Sequence, residues 1–222
     1  MRLLALLPLV ALAACADAPE TSGPAAPEPQ AVAAAETAEA PTPGAPAPAF
    51  TLTATDGTEH ALADYRGQTV VLEWLNYDCP YVGKHYGGGA MQALQAEAAA
   101  DGVVWLSVVS SAPGEQGHFA PAEMDARTAA EGGRQRAVLL DPTGAVGRAY
   151  EAKTTPHMFV IGPDGRVVYN GAIDDRPTTE PADLDGATRY VGLALAALAD
   201  GRPADPATTP PYGCSVKYGA DA

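Results

Sequence analysis

Two stretches of the chain, residues 69–75 (Thr-Val-Val-Leu-Glu-Trp-Leu) and 103–109 (Val-Val-Trp-Leu-Ser-Val-Val), are almost unbroken apolar runs rich in β-branched residues. A strand with one solvated face alternates apolar and polar positions, so short continuous runs predict strands buried on both faces of a sheet. Between them, residues 90–100 place Met91, Leu94 and Ala98 on one side of a helix. A strand, helix, strand unit predicts parallel strands joined by a right-handed crossover. A second helical pattern covers residues 121–131, after the loop 110–117. Farther on, residues 157–161 and 166–169 flank Gly162-Pro163-Asp164-Gly165, a strong turn signal, and predict an antiparallel hairpin. Residues 183–200 predict a last helix, and Gly201 opens a Pro-rich tail. The order is strand, helix, strand, helix, hairpin, helix.

The N-terminal fifth of the 222 residues follows a different pattern. Residues 1–14 carry Arg2 and then an apolar stretch too short to span a bilayer, which predicts a signal peptide. It ends in Leu12-Ala13-Ala14-Cys15, which resembles the lipobox of bacterial lipoproteins and implies lipidation of Cys15. An ordinary signal peptide cleaved near Ala14, with Cys15 incidental, is the alternative. Residues 15–49 are dominated by Ala and Pro, with Asp17, Glu20, Glu28, Glu36 and Glu39 as the only charges. Such a segment buries too little apolar surface to offset its ordering entropy and predicts a disordered tether. Residues 50–202 are enough for one domain with a real core, followed by the tail 203–222. The formal net charge is −14 with no basic stripe, which argues against a nucleic-acid partner.

The candidate chemistry begins at Cys79, where the first apolar run gives way to Asn76-Tyr77-Asp78-Cys79-Pro80-Tyr81-Val82. Pro80 suits the first turn of a helix, so Cys79 is expected at a helix N-terminus. Unpaired N–H groups and the helix dipole there favour a thiolate and lower the cysteine pKa. A buried core cysteine that packs as a small hydrophobe is the alternative. Three cysteines are an odd number for an exported chain; lipidation of Cys15 leaves Cys79 and Cys214, which can pair outside the cytoplasm.

With the cysteine after the first central strand, the element order is that of an α/β thioredoxin-like fold, a central mixed sheet flanked by helices. The motifs carry the likeness further. Residues 72–82, Ser-Ser-Ala-Pro-Gly at 110–114, Thr-Thr-Pro at 154–156, Val-Tyr-Asn-Gly-Ala-Ile-Asp-Asp at 168–175 and Gly-Cys-Ser-Val-Lys-Tyr at 213–218 resemble a bacterial peroxiredoxin-like, redoxin-type branch of the thioredoxin superfamily. This resemblance implies a thiol oxidoreductase acting on disulfides or hydroperoxides through Cys79. It also implies a cis bond before Pro156, with Thr155 and Pro156 shaping the substrate cleft; a plain strand-entry proline is the alternative. Glu73, six residues before Cys79, matches a buried carboxylate of thioredoxins; desolvation would raise its pKa and let it exchange protons with sulfur. The alternative is a carboxylate reaching solvent at a strand end.

Two departures limit the likeness. Position 82 is Val, so Cys79 lacks a CxxC partner, and Asn76 stands where typical peroxiredoxins set a threonine. Cys214 is the candidate partner. It is either a resolving cysteine, or half of a structural bridge whose long loop would contribute roughly 4–5 kcal/mol in the chain-entropy model, or unpaired. The resemblance implies no cofactor, an external electron donor, and a site on the periplasmic side of the cell envelope. The competing reading is a non-catalytic or copper-binding envelope module, in which Cys79 works with His85 and His157. Otherwise the histidines His85 and His157 are expected to line the site or face solvent, while Lys84, like them, is expected near Cys79, where Lys84 and His85 assist its thiolate. The Gly87-Gly88-Gly89 run predicts a helix break, since it lacks the Lys-Ser or Lys-Thr of a phosphate loop.

Overall fold

The computed structural model describes residues 41–220. Their centre is a seven-stranded mixed sheet. Its strands are β1 (Thr51–Ala54), β2 (Glu59–Ala61), β3 (Val70–Trp74), β4 (Val104–Val109), β5 (Ala137–Leu140), β7 (His157–Ile161) and β8 (Val167–Gly171), in the spatial order β2-β1-β5-β4-β3-β7-β8. A separate two-stranded ribbon joins β6 (Thr154–Thr155) to β9 (Cys214–Ser215). The helices are α1 (Pro80–Gly87), α2 (Ala90–Ala100), α3 (Pro121–Ala130), α4 (Ala145–Ala149) and α5 (Tyr190–Ala199).

β3 pairs in parallel with β4 and antiparallel with β7, so it is the central strand, and all five of its residues are buried. Its alternation sends Val71 to one apolar cluster with Met91, Leu94, Met124 and Val191, and Val70, Leu72 and Trp74 to a second with Leu62, Tyr65 and Tyr150. Helices α1, α2, α3 and α5 thus cover one face, and α4 with the segment before β3 covers the other. Both predicted buried strands, the 162–165 turn and the helix 90–100 are present as expected. The glycine run ends α1 at Gly87, and Gly89, with φ +74, starts α2.

The structure corrects several expectations. The last helix begins at Tyr190; before it, residues 181–184 form only a single 3-10 turn and Gly186 has φ +67, which ends helical continuity. Strands β1, β2 and β5 were not anticipated. β1 and β2 form a partly exposed hairpin closed through Asp56-Gly57, and β5 is only four residues long, too short for a periodicity to register.

Residues 41–49 do not belong to a tether. Gly44 N–H bonds to Val167 O at 2.8 Å, Val167 N–H to Ala45 O at 2.9 Å and Ala47 N–H to Gly165 O at 3.0 Å, so this segment is laid along β8. The Pro-rich tail is likewise docked: Asn170 N–H bonds to Ala207 O and Thr209 N–H to Asn170 O, both at 3.2 Å. The expected signal peptide, most of the tether and Cys15 lie outside the described residues. Among the described residues no helix is long and apolar enough to cross a membrane.

Candidate active site

Cys79 is the N-cap of α1, with extended backbone (φ −85°, ψ 120°) and Pro80 at the first helical position. β3 delivers the chain to the top of the sheet, residues 75–78 turn it, and the helix starts at the sulfur-bearing residue. Cys79 is 1% exposed. Its Sγ lies 3.0 Å from the carbonyl oxygen of Thr155, and the Thr155–Pro156 bond is cis. Opposite Thr155, across the β6–β9 ribbon, sits Cys214. The two thiols are near enough to influence each other's ionisation, and both cysteines are free. The approach is close enough to need glycine at 213, where φ is +140 and a Cβ would stand 2.1 Å from Thr155 O. Tail residues thus cross the face that carries Cys79 and Pro156, and continue as Val216 N–H bonds to Lys153 O at 3.1 Å and Ala112 N–H to Lys217 O at 2.9 Å.

Burial acts to raise the Cys79 pKa. Against it stand the Cys214 thiol, the nearby Thr155 hydroxyl and the N–H groups of Val82 and Cys214, and the balance falls below the ordinary thiol value. The Thr155 hydroxyl is buried with no partner of good hydrogen-bond geometry, so it is free to turn toward the sulfur. The Thr155 carbonyl favours the protonated thiol, since it only accepts. Cys214 shifts the other way: burial and the negative charge on Cys79, to which it donates, push it up to about 11. The two shifts run in opposite directions, so Cys79 is the more readily ionised of the pair and Cys214 the one that keeps its proton. Lys84 and His85 do not contribute to this, contrary to expectation.

Glu73 is wholly buried and does not reach solvent at a strand end. Its carboxylate accepts from Ser107 Oγ at 2.8 Å, Trp105 Nε1 at 2.9 Å, Tyr86 OH at 3.3 Å and, weakly, Gln95 Nε2 at 3.5 Å. Burial dominates and raises its pKa, while these donors pull it back.

This arrangement, a cysteine at a helix start facing a carbonyl before a cis-proline, coincides with a family match. The model of the Redoxin family matches residues 42–187. The chain belongs to the Redoxin family. A conserved protein of Geobacillus kaustophilus is similar in structure, with 28% identity, 81% of this chain and 94% of that chain covered, and a TM-score of 0.69. A hypothetical protein of Sinorhizobium meliloti 1021 shows 24% identity over 82% and 98% of the two chains, with a TM-score of 0.68. A candidate thiol:disulfide interchange protein DsbE of Chlorobium tepidum shares the fold at 22% identity, over 71% and 98%, with a TM-score of 0.52. No curated protein matches the chain. The fold is therefore the thioredoxin fold, the one used by thiol-disulfide oxidoreductases.

In this redoxin domain the other polar residues near Cys79 occupy places the sequence did not reveal. Lys84 and His85 are each 1% exposed, so neither faces solvent. They meet Asp174, 3.5 Å from Lys84 Nζ, and the tail residue Tyr212. Burial lowers the His85 pKa to about 4, so the ring is neutral at pH 7. His157 is committed elsewhere: Nδ1 accepts from Lys153 N–H at 3.2 Å and Nε2–H donates to Asn170 Oδ1 at 2.8 Å. Burial lowers its pKa to about 4 as well. Among the described residues no group of three or more His, Cys, Asp or Glu side chains is arranged to hold a metal ion. Asn76 shapes the approach loop, its Oδ1 accepting from Asp78 N–H at 2.9 Å, and Asp78 pairs with Arg127 at 2.8 Å. Asp174 and Tyr212 were not singled out by sequence reasoning; Asp174 fell within a family motif, and nothing local marks Tyr212.

Proposed function

We propose that the chain is a lipid-anchored thiol oxidoreductase of the cell envelope in which Cys79 is the attacking sulfur and Cys214 resolves the intermediate. The observation that carries this reading is the β6–β9 ribbon, which sets Cys214 opposite Thr155 with its thiol against Cys79. The envelope assignment rests on the lipobox-like sequence ending in Cys15.

With a hydroperoxide, the Cys79 thiolate attacks the distal oxygen and the O–O bond breaks. The alcohol or water leaves with a proton, and Cys79 becomes a sulfenic acid. The Cys214 thiol then attacks that sulfur, the S–O bond breaks, and a disulfide and one water form. With a disulfide substrate, Cys79 forms a mixed disulfide and releases one thiolate, and Cys214 displaces the second. Either route leaves Cys79 and Cys214 oxidised by two electrons, and an external dithiol restores them. Glu73, whose pKa burial raises, exchanges protons with the site, while Thr155 and Pro156 border the sulfur.

The test is intact mass after stoichiometric hydrogen peroxide or oxidised glutathione, without reductant. Loss of two hydrogens with peroxide, and a retained oxygen or glutathione adduct in Cys214→Ser, supports the cycle. An adduct that persists on the wild type, with no loss of two hydrogens, refutes resolution by Cys214. Faster turnover with one oxidant identifies the substrate class.

A further inference from the structure

Two residues before Cys214, Tyr212 seats its phenol in a buried polar slot. Its hydroxyl donates to Asp174 Oδ1 and lies 3.1 Å from both Lys84 Nζ and His85 Nε2. Lys84 Nζ also stands 5.1 Å from the ring centroid, and Tyr81 packs against that ring at 5.8 Å. Tyr81, Lys84 and His85 all belong to α1, the helix that Cys79 opens. The slot and the nucleophile therefore ride on one rigid element, and the tail is pegged to it just before Cys214.

The slot is costly without the peg. Lys84 and Asp174 are 1% and 3% exposed, and a desolvated ion pair is offset only when its remaining hydrogen-bonding groups are satisfied. Asp174 Oδ2 makes no hydrogen bond, despite lying 3.5 Å from Lys84 Nζ. With the phenol withdrawn, Lys84 keeps Arg176 O at 2.5 Å, and Asp174 Oδ1 keeps Arg176 N–H at 2.8 Å. Docking Tyr212 adds hydrogen bonds to both charged groups, the strong kind. A plain scaffold for the tail would need only apolar packing. What a polar peg adds is register: a strand displaced by one residue turns every side chain to its other face, so a slipped β9 would point Cys214 away from Cys79.

We propose, building on the resolving role assigned to Cys214, that Tyr212 is a positioning residue for disulfide closure. Its hydroxyl, seated among Lys84, His85 and Asp174, fixes the register of β9 so that Cys214 meets Cys79. The step it governs is attack of the Cys214 thiol on the Cys79 sulfenic acid, which forms the S–S bond and releases water. Attack of Cys79 on the oxidant comes before it.

The experiment oxidises the reduced protein with hydrogen peroxide and follows two quantities by quenched mass spectrometry: sulfenate trapped by a dione reagent, and the intramolecular disulfide. Tyr212→Phe is expected to slow closure about tenfold, the scale of a lost hydrogen bond to a charged group, with sulfenate accumulating. Tyr218→Phe removes a bond from the same tail to the Ala152 carbonyl, 2.8 Å long and neutral. It is expected to slow closure less than about threefold. If Tyr212→Phe does not fold, His85→Leu removes one partner of the hydroxyl, leaves the Lys84–Asp174 pair, and is expected to slow closure about threefold. Closure at the wild-type rate in Tyr212→Phe, or equal slowing in both tyrosine variants, would overturn the positioning role alone. Absence of the disulfide in the wild type, with Cys79 oxidised, would instead overturn the role of Cys214 and this proposal with it.

Discussion

Glu73 and Asp174 are both buried carboxylates, and their surroundings differ in kind. Glu73 is ringed by neutral donors from β4, α1 and α2, all within the body of the domain. Asp174 faces a cation, a backbone N–H and the phenol of a residue from the tail. Neutral donors do not cancel the cost of burying a charge, so burial leaves Glu73 inclined to hold a proton. The Lys84–Asp174 pair balances its charge but is completed only when the tail is down. One site is a proton store independent of the tail; the other depends on where the tail lies.

The largest expected effect breaks the second site. Asp174→Ala strands the Lys84 ammonium in the interior and is expected to cost about 3–5 kcal/mol in a denaturant titration. The same measurement on Asp174→Ala/Lys84→Met should recover most of that loss, since removing both charges removes the penalty.

Acid probes both regions. His85 and His157 titrate in the folded state at about 4, below the 6.5 of the unfolded chain. The unfolded chain therefore binds protons first as pH falls. Stability should decline from about pH 6.5 and level near pH 4, by roughly 3 kcal/mol for each group. Urea melts across that range check it, and His157→Gln should lessen the decline.

Glu73→Gln sharpens the contrast with opposite sign. The unfolded carboxylate ionises near 4.5 while the folded one holds its proton to higher pH. Folding of the wild type thus becomes less favourable as pH rises through that interval, and the glutamine protein does not share the loss. The variant should match the wild type below pH 4.5 and exceed it near neutrality. Its amide can accept from Trp105 and Ser107 and donate toward the Tyr86 hydroxyl, so the fold is kept. If Glu73 moves protons, oxidation or closure slows roughly tenfold or more. The smallest effect is at Cys79 itself: alkylation against pH should place its thiol below an ordinary cysteine, whereas Cys214 in Cys79→Ser, freed of the neighbouring charge, should titrate lower than in the wild type.

How legible these features were follows from where their causes lie. β3, β4 and the Cys79 helix start are written in contiguous residues: unbroken apolar runs, then Cys-Pro. Glu73 was legible as a polar residue inside such a run. Cys214 came through the cysteine count and family likeness, because its partner lies 135 positions away and no local pattern sets the tail's path. Lys84 and His85 were expected near Cys79 because they follow it closely in sequence, and their burial was missed because charged side chains are seldom fully buried unless paired and the partners that pair them, Asp174 and Tyr212, are distant in sequence. The hairpin of β1 and β2 carried its Asp56-Gly57 turn in plain view, but its faces are too exposed to give apolar alternation.

The segments laid along β8 have a consequence for how molecules meet. A sheet edge with free N–H and C=O groups invites pairing with another chain. The two outer strands here are β2 and β8, and β8 is shielded by residues 44–47 on one stretch and by 207–209 on another. β2 has three residues, two of them Glu59 and His60, a short polar border that offers a poor template. Crowded side by side, such molecules would present little backbone for edge-to-edge growth, and a variant that releases the tail would expose part of β8 to its neighbours.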